Sequence, residues 1–515
     1  MKSDFSKPPS FKWLTILGLI APTLLQALPQ VTAVLPRQNE INVAMNSAVE
    51  VTFSEDMNPA SLNAATWLVY GCQTGFYSGS FTYDAASRTA RFSPSVFFKE
   101  GEILYVVLTA NIENAAGQTL SSAFQWSFTV AVEFGTGVFD KRIEIPVGEN
   151  ERDPIALFAA DFNNDQLVDL AVANNATNTV SILINQFFSL GGSFSLDRIF
   201  SAGNGPTSLT GGDFNEDGFV DLAVVNFHDN TVTIHTNDKT GAFFPSQTIT
   251  TAQHPVYAEA QDYDNDGHLD LSVLIFGVNQ FQLFLSQGNG NFDPSPRTFA
   301  TGASPQSLAS GDFDNDGDLD IVVTNSGDNS ISVFKNDGAA QFTLFGETAV
   351  QEAPTIVRSN DLVGRSDNQH YGDGFLDLVL VHSNNNSLTV LDNRSRDGSF
   401  VVYQEMNAGI RPLGLFIGDV DTTDAIAAGV GLGKDHDLDL AVSNLFSQDV
   451  YLWINELNNN FSNQAGNIFA AGSTPVAITG GDFDRDGDID LAVTNLGTQS
   501  VSILLNKGGQ SGSIR

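Results

Sequence analysis

The sequence predicts an all-β protein, a β-sandwich followed by a closed seven-bladed β-propeller. Three observations predict it. Short apolar runs broken by turn residues fill residues 29–132. An acidic nine-residue pattern then recurs seven times at a period near 50 residues, the spacing of a repeat array or propeller. The stretch ahead of the first repeat supplies the strand that the last repeat lacks.

Composition narrows the function classes. The 515 residues carry 60 Asp and Glu against 23 Lys and Arg, a formal net charge of −37, yet only 16% of residues are charged. The charge is lopsided, not abundant. With 42% hydrophobic residues and 39 Phe, the chain can bury a large core, which excludes wholesale disorder. So strong a negative excess argues against nucleic acid as a partner, since phosphate would be repelled along most of the surface. Cys72 is the single cysteine, so an intrachain disulfide and a cysteine-based metal site are both excluded.

At the front, Lys2, Lys7 and Lys12 precede an apolar run from Trp13 to Leu28 that is broken at Pro22. This pattern predicts a secretory signal peptide over residues 1–28, with cleavage after Ala27. At roughly 16 residues the run is shorter than the ~20 that cross a membrane. No later stretch reaches that length, so the expectation is a bacterial protein, secreted or at the cell surface, with no membrane span once the signal is removed.

Residues 29–132 read as short strands: VEVTFSEDMNP, GSFTYDAASRTARFSP, ILYVVLTANIENAAGQTL and FQWSFTV. On VTFSEDMNPASL (Val51 to Leu62), TARFSP (Thr89 to Pro94) and NAAGQTL (Asn114 to Leu120) before WSF (Trp126 to Phe128), the segment resembles the Ig-like domains of bacterial surface-layer and cell-wall proteins. The resemblance implies a spacer or attachment module. Cys72 falls within it and reads as an unpaired small residue of a strand or loop.

Residues 133–515 hold the repeats. The pattern is DFNNDQLVD from Asp161, DFNEDGFVD from Asp213, DYDNDGHLD from Asp262, DFDNDGDLD from Asp312 and DFDRDGDID from Asp482. Insertions stretch two further copies, from Asp361 to Asp377 and from Asp419 to Asp439. Two external landmarks confirm their register. A proline stands seven residues before every first Asp: Pro154, Pro206, Pro255, Pro305, Pro354, Pro412 and Pro475. Sixteen residues after every last Asp stands Asn185, Asn237, Ser286, Asn336, Asn393, Asn455 or Asn506.

Each repeat has material for four strands. The first runs from the proline to the Asp, and the second is an unalternating DLAV-type run, as a strand buried on both faces requires. The third resembles TVSILIN (Thr179 to Asn185), and the fourth opens near Phe194, Phe243, Phe292, Phe342, Phe400 or Phe461. The seventh repeat lacks a fourth strand. Gly135 to Gly148, with Phe139 placed like the other phenylalanines, should complete it and close the ring.

Side-chain oxygens recur at loop positions 1, 3, 5 and 9, commonly with Gly at position 6 for the sharp turn. The candidate metal ligands are Asp161, Asn163, Asp165 and Asp169; Asp213, Asn215, Asp217 and Asp221; Asp262, Asp264, Asp266 and Asp270; Asp312, Asp314, Asp316 and Asp320. They continue with Asp361, Asp373 and Asp377; Asp419, Asp421, Asp435 and Asp439; and Asp482, Asp484, Asp486 and Asp490. An all-oxygen set rich in carboxylates on a flexible loop suits calcium over magnesium. Five loops keep the pattern intact, so about five calcium ions are expected, and up to seven. An EF-hand reading fails at position 12, where Val224, Val323 and Val493 replace the bidentate Glu. Loops one and two, with amides at position 3 and Gln166 at position 6 of the first, should bind more weakly.

The repeats resemble the FG-GAP (VCBS-type) repeats of integrin α-subunit propellers and of many exported bacterial proteins. That resemblance implies that each loop joins the first two strands of a blade and holds calcium. No H-E-x-x-H cluster, nucleophile elbow or phosphate-binding glycine loop is evident. The expected function is noncatalytic: an exported calcium-binding protein that meets an extracellular protein or glycan through its propeller. A polysaccharide- or lipid-active enzyme or accessory module, with its site on the propeller face, is the alternative. A structural envelope component is the third reading.

Overall fold

The prolines open the first strand of every repeat: Pro154–Ala160, Pro206–Gly212, Pro255–Gln261, Pro305–Gly311, Pro354–Asn360, Pro412–Gly418 and Pro475–Gly481. Proline has no N–H to give a ladder, so the start of a strand is where it is tolerated. The residue before each of the seven is left-handed, with φ between 52° (Ala353) and 68° (Gly205). A sharp kink thus marks every crossing from one sheet to the next. The computed structural model describes residues 28–132, 135–186, 194–364, 372–421, 437–456, 460–463 and 467–506. The predicted signal segment lies outside them, apart from Leu28.

Each first strand pairs antiparallel with a second one, such as Asp169–Asn174 or Asp320–Asn325, in which every residue is buried. The missing alternation of the DLAV-type runs meant what it predicted. A third and a fourth strand complete each sheet. The fourth opens at Phe194, Phe243 and Phe342 as expected, whereas Phe292 and Phe400 precede the strands Arg297–Ala300 and Val401–Asn407. In the sixth repeat two short strands, Asn460–Ser462 and Ile468–Ala470, share the fourth place. Phe139–Pro146 pairs antiparallel with Ser500–Asn506, so the first strand of the repeat region joins the sheet of the last repeat. Seven sheets result among the described residues, and Pro475–Gly481 of the last lies beside Pro154–Ala160 of the first.

Two kinds of contact tie neighbouring sheets, the first at five of the seven junctions, because loops five and six carry Leu362 and Val420 at position 2. The aromatic residue at loop position 2 packs edge-on against the Phe near the fourth strand of the following repeat. The pairs are Phe162 with Phe243, Phe214 with Phe292, Tyr263 with Phe342, Phe313 with Phe400, and Phe483 with Phe194. The second contact is polar. The landmark asparagine donates Nδ2 to the position-2 carbonyl of the preceding loop. Asn237 reaches Phe162 O (2.7 Å), Asn336 reaches Tyr263 O (2.8 Å), Asn393 reaches Phe313 O (2.7 Å) and Asn506 reaches Val420 O (2.8 Å). Asn185 of the first repeat reaches Phe483 O of the seventh at 2.8 Å. The third repeat has Ser286 at the landmark, too short to reach, and the Gly290 N–H takes over the Phe214 carbonyl at 2.8 Å.

The N-terminal domain is the predicted sandwich. One sheet is ordered Val31–Leu35, Val49–Phe53, Thr89–Pro94, Gly79–Asp84; the other is Glu40–Val43, Phe124–Val130, Ile103–Leu108, Trp67–Gly71, Gly75–Phe76. Trp67, Val69, Leu104, Val106 and Trp126 face the core between them. The domain does not stand away from the propeller as a spacer would. Leu68, Tyr70, Tyr105 and Val107, from the other face of the second sheet, pack with Phe214, Leu269 and Leu271 of the second and third repeats. Cys72, in the turn after Trp67–Gly71, is unpaired, as expected.

The asparagine clamp makes a direct prediction. Asn336→Ala leaves the buried Tyr263 carbonyl without its donor and should cost about 1–3 kcal/mol in denaturant unfolding. Ser286→Ala should cost far less, because no such bond depends on it.

Candidate metal centres

Each acidic loop joins the first and second strands of its repeat, so all of them emerge at one face. Backbone N–H groups shape the loop around the position-1 carboxylate. Asp262 Oδ1 accepts from Asp266 N (3.1 Å) and its Oδ2 from Gly267 N (2.9 Å). Asp161, Asp213, Asp312 and Asp361 make the same pair of bonds to positions 5 and 6. The position-5 carboxylate accepts from the position-7 N–H, as Asp266 does from His268 N at 2.9 Å. The position-9 carboxylate accepts from the landmark residue's N–H through Oδ1, at 2.7 Å from Asn506 N to Asp490 and 2.8 Å from Ser286 N to Asp270. Backbone N–H donors thus anchor three carboxylates in loops one to five and seven.

Two left-handed residues let the loop curl. Position 4 has φ near 57° at Asn164, Asn265 and Asn315, and position 6 has φ 96° at Gly267 and 94° at Gly317. Gln166 adopts φ 70° at position 6 of loop one without glycine's freedom.

Position 3 closes the cage, and its side chain is not anchored in the same way. Asn215 Oδ1, Asp264 Oδ1, Asp314 Oδ1 and Asp484 Oδ1 are all buried with no hydrogen-bond partner. A buried acceptor left empty costs free energy. The same atom left empty in four separate loops fits a cation as the missing partner. The other oxygen of Asp314 is held by Lys335 Nζ at 2.8 Å.

The carboxylates converge best in three loops. Asp262, Asp264 and Asp270, then Asp312, Asp314 and Asp316, then Asp482, Asp484 and Asp490, each bring their ligand oxygens within 4.8 Å of one another. In loop one Asn163 Oδ1 instead accepts from Asp165 N at 2.9 Å. In loop five Asp361, Asp373 and Asp377 regain the ordinary register around the insertion, and Asp373 pairs with Arg396 at 3.2 Å. The residue that would fill its position 3 lies outside the described residues. In loop six the charges of Asp419 and Asp421 bear on buried Asp439, and Asp435 lies outside the described residues.

Three carboxylates escaped the sequence pattern: Asp318, Asp437 and Asp488, all at position 7, outside the ligand positions 1, 3, 5 and 9. Asp437 and Asp488 are buried, and neither Asp488 oxygen has a partner. Asp318 accepts from Asn265 Nδ2 of the preceding loop at 2.8 Å. Their signal was the triplet D-G-D or D-H-D in place of D-G-x.

Burial raises the carboxyl pKa at position 9 of several of these loops and at other buried acids among them, and neighbouring carboxylates raise it further. Asp312 is pushed to about 7, Asp320 and Asp377 to about 8, and Asp484 to about 7. Asp262, Asp270 and Asp490 move in the same direction for the same reasons. A dication placed among them would reverse that trend by compensating the charge.

Radially repeated four-stranded sheets with an acidic, oxygen-lined loop at the same junction define a β-propeller of repeat type. The chain belongs to the FG-GAP-like repeat family, whose model matches residues 161–224, 213–273, 262–323, 312–362 and 433–493, together more than half of its length. A bacterial Ig-like domain model matches residues 26–130. No curated protein matches the chain. Among solved structures, BBS1N in complex with ARL6DN is similar at 11% identity and a TM-score of 0.50, covering 73% of this chain and 99% of that one. Hydrazine synthase of Kuenenia stuttgartiensis is similar at 11% identity and a TM-score of 0.47, over 70% of this chain and 96% of that one. A functionally unknown protein of Desulfotomaculum acetoxidans follows at 12% identity and a TM-score of 0.43, over 72% and 94%. At such identities the first likeness bears on fold alone.

Two outcomes follow from the loop geometry. Gln166→Gly should stabilise the chain by about 1 kcal/mol in chemical denaturation by relieving the left-handed strain. The second concerns pH in the metal-free chain. Carboxyls whose folded pKa lies above the unfolded value bind more protons when folded, so stability falls as pH rises through the window from about 4 to 8. Chelator-treated protein should therefore melt at a higher temperature at pH 5 than at pH 8.

Proposed function

We propose that this chain is an exported, noncatalytic calcium-binding protein whose propeller recognises an extracellular protein or glycan. The observation that carries the calcium reading is the position-3 oxygen, buried and partnerless in four loops, in three of which it stands among clustered carboxylates. Hard oxygen donors of this number, on a loop free to adjust its radius, favour calcium over the smaller magnesium. Twenty-five of the 60 acidic residues stand at loop positions 1, 3, 5 and 9, so much of the −37 charge belongs to these cages. Export rests on the basic flank and the short apolar run of residues 1–28. No helix among the described residues is long and apolar enough to cross a membrane.

For recognition, the face opposite the loops is the candidate, because the sandwich packs against the loop side. There the turns between second and third strands present Phe446, 59% exposed, and Phe227 stacked on His254 at 4.7 Å. Aromatic rings with polar neighbours suit sugar faces and peptide backbones alike. A glycan and matrix-protein binding screen, run with and without calcium, tests this reading, and binding that survives chelation unchanged would count against it.

Calcium that binds the native state alone raises its stability. Ten millimolar calcium over a Kd of ~10⁻³ M would contribute about 1.4 kcal/mol per site. Identical melting curves in EDTA and in millimolar calcium would sink the assignment. Asp316→Ala should lower the calorimetric stoichiometry by one site and leave the other loops binding.

A further inference from the structure

We propose that the cation-filled loops are the seat of the N-terminal sandwich, so that withdrawing calcium releases this domain and uncovers the loop face. The inference rests on the calcium reading above. Its basis is where the sandwich sits. It touches loop one through Gln73 O, which accepts from Asp161 N at 2.9 Å, and loop four through Gln125 N, which donates to Gly317 O at 3.3 Å. Asn39 Nδ2 donates to Gly374 O of loop five at 3.1 Å. Gln38 Nε2 donates to Asp312 Oδ2, on a carboxylate that is itself a candidate ligand.

The glycines at loop position 6 do double duty. A methyl group on Gly267 would fall 2.4 Å from Leu68 Cδ1, and one on Gly317 would fall 3.2 Å from Phe124. Loop seven is approached from the other side, where a methyl group on Gly101 of the sandwich would fall 2.6 Å from Ile489 Cδ1. The sandwich thus reads the exact course of the loop backbone, not just its chemistry. That course is held by backbone N–H bonds to carboxylates, whose ligand oxygens crowd within 4.8 Å in loops three, four and seven. Without a dication the like charges repel and the loop must open or bind protons. An opened loop loses the carbonyl and N–H positions that the sandwich uses. By linkage, a docked sandwich must in turn strengthen calcium binding.

Cys72 provides the reporter. It is the only cysteine, it is half-buried in a turn that faces the propeller, and desolvation, with the carboxylates of Glu102 in the sandwich and Glu259 in the strand Pro255–Gln261, pushes its thiol up to about 12. The full-length chain is labelled with a maleimide in 5 mM calcium and in EGTA, with small-angle scattering and far-ultraviolet circular dichroism on the same samples. Chelation is expected to speed Cys72 labelling by about a hundredfold or more and to raise the radius of gyration, and added calcium should restore both. The β signal should persist in EGTA; its loss would mean global unfolding and would overturn the proposal. Calorimetric calcium binding with unchanged labelling and scattering would overturn the coupling and leave the calcium reading standing. Absence of any calcium binding would overturn both. The double variant Gln38→Ala, Asn39→Ala should label faster at subsaturating calcium and bind calcium roughly 3- to 10-fold more weakly at one site. Unchanged calcium affinity in that variant would also overturn it.

Discussion

The buried carboxylate at the ninth loop position is the point on which the molecule turns. In loop four, Asp320 accepts from Phe313 N at the start of its own loop and from Asn336 N in its own third strand. Asn336 then reaches the preceding loop through its side chain. One acid therefore fixes a loop, a sheet and, at one remove, the neighbouring sheet. Such a group is costly to bury unless every lone pair is used. The repeat meets that demand with backbone donors and leaves the remaining direction facing the cage. Structure and candidate ion site share the same atoms, and the acid keeps its backbone donor even in loops five and six, where insertions disturb the rest.

The dipeptide that opens each loop divides its labour in the same spirit. Its acid faces the cage, while its second residue, aromatic in five of the seven loops, turns its side chain and carbonyl to the following repeat. Phe162 illustrates this: its ring meets Phe243 edge-on at 5.3 Å and its carbonyl accepts from Asn237. Directional contacts of this kind set the angle between sheets more sharply than burial alone, because ring edges and amide donors have preferred geometries.

Most of this was legible in the sequence because it is periodic. The prolines, the DLAV-type strands, the landmark asparagines and the strand from Phe139 all fell where spacing placed them. What escaped was long-range. The docking of the sandwich left a trace in the runs WLVYG and ILYVVL, which are apolar on both faces, yet the run does not say what covers the second face. Leu68, Tyr70, Tyr105 and Val107 were its signal, and a spacer role overlooked them. The position-7 acids escaped because a template built on alternate positions has no place for an adjacent carboxylate.

The seventh sheet has a kinetic consequence. Phe139–Pro146 finds its partner in Ser500–Asn506, at the far end of the repeats. Pairing across so long a loop carries an entropic toll that grows with the logarithm of its length, and topologies of this kind fold slowly. Throughout synthesis the early strand must wait with an unpaired edge, an invitation to aggregation. Completion of this one sheet therefore waits on the last strand of the repeats. A chain truncated anywhere short of its final strand keeps a raw edge and becomes visible to chaperones and proteases.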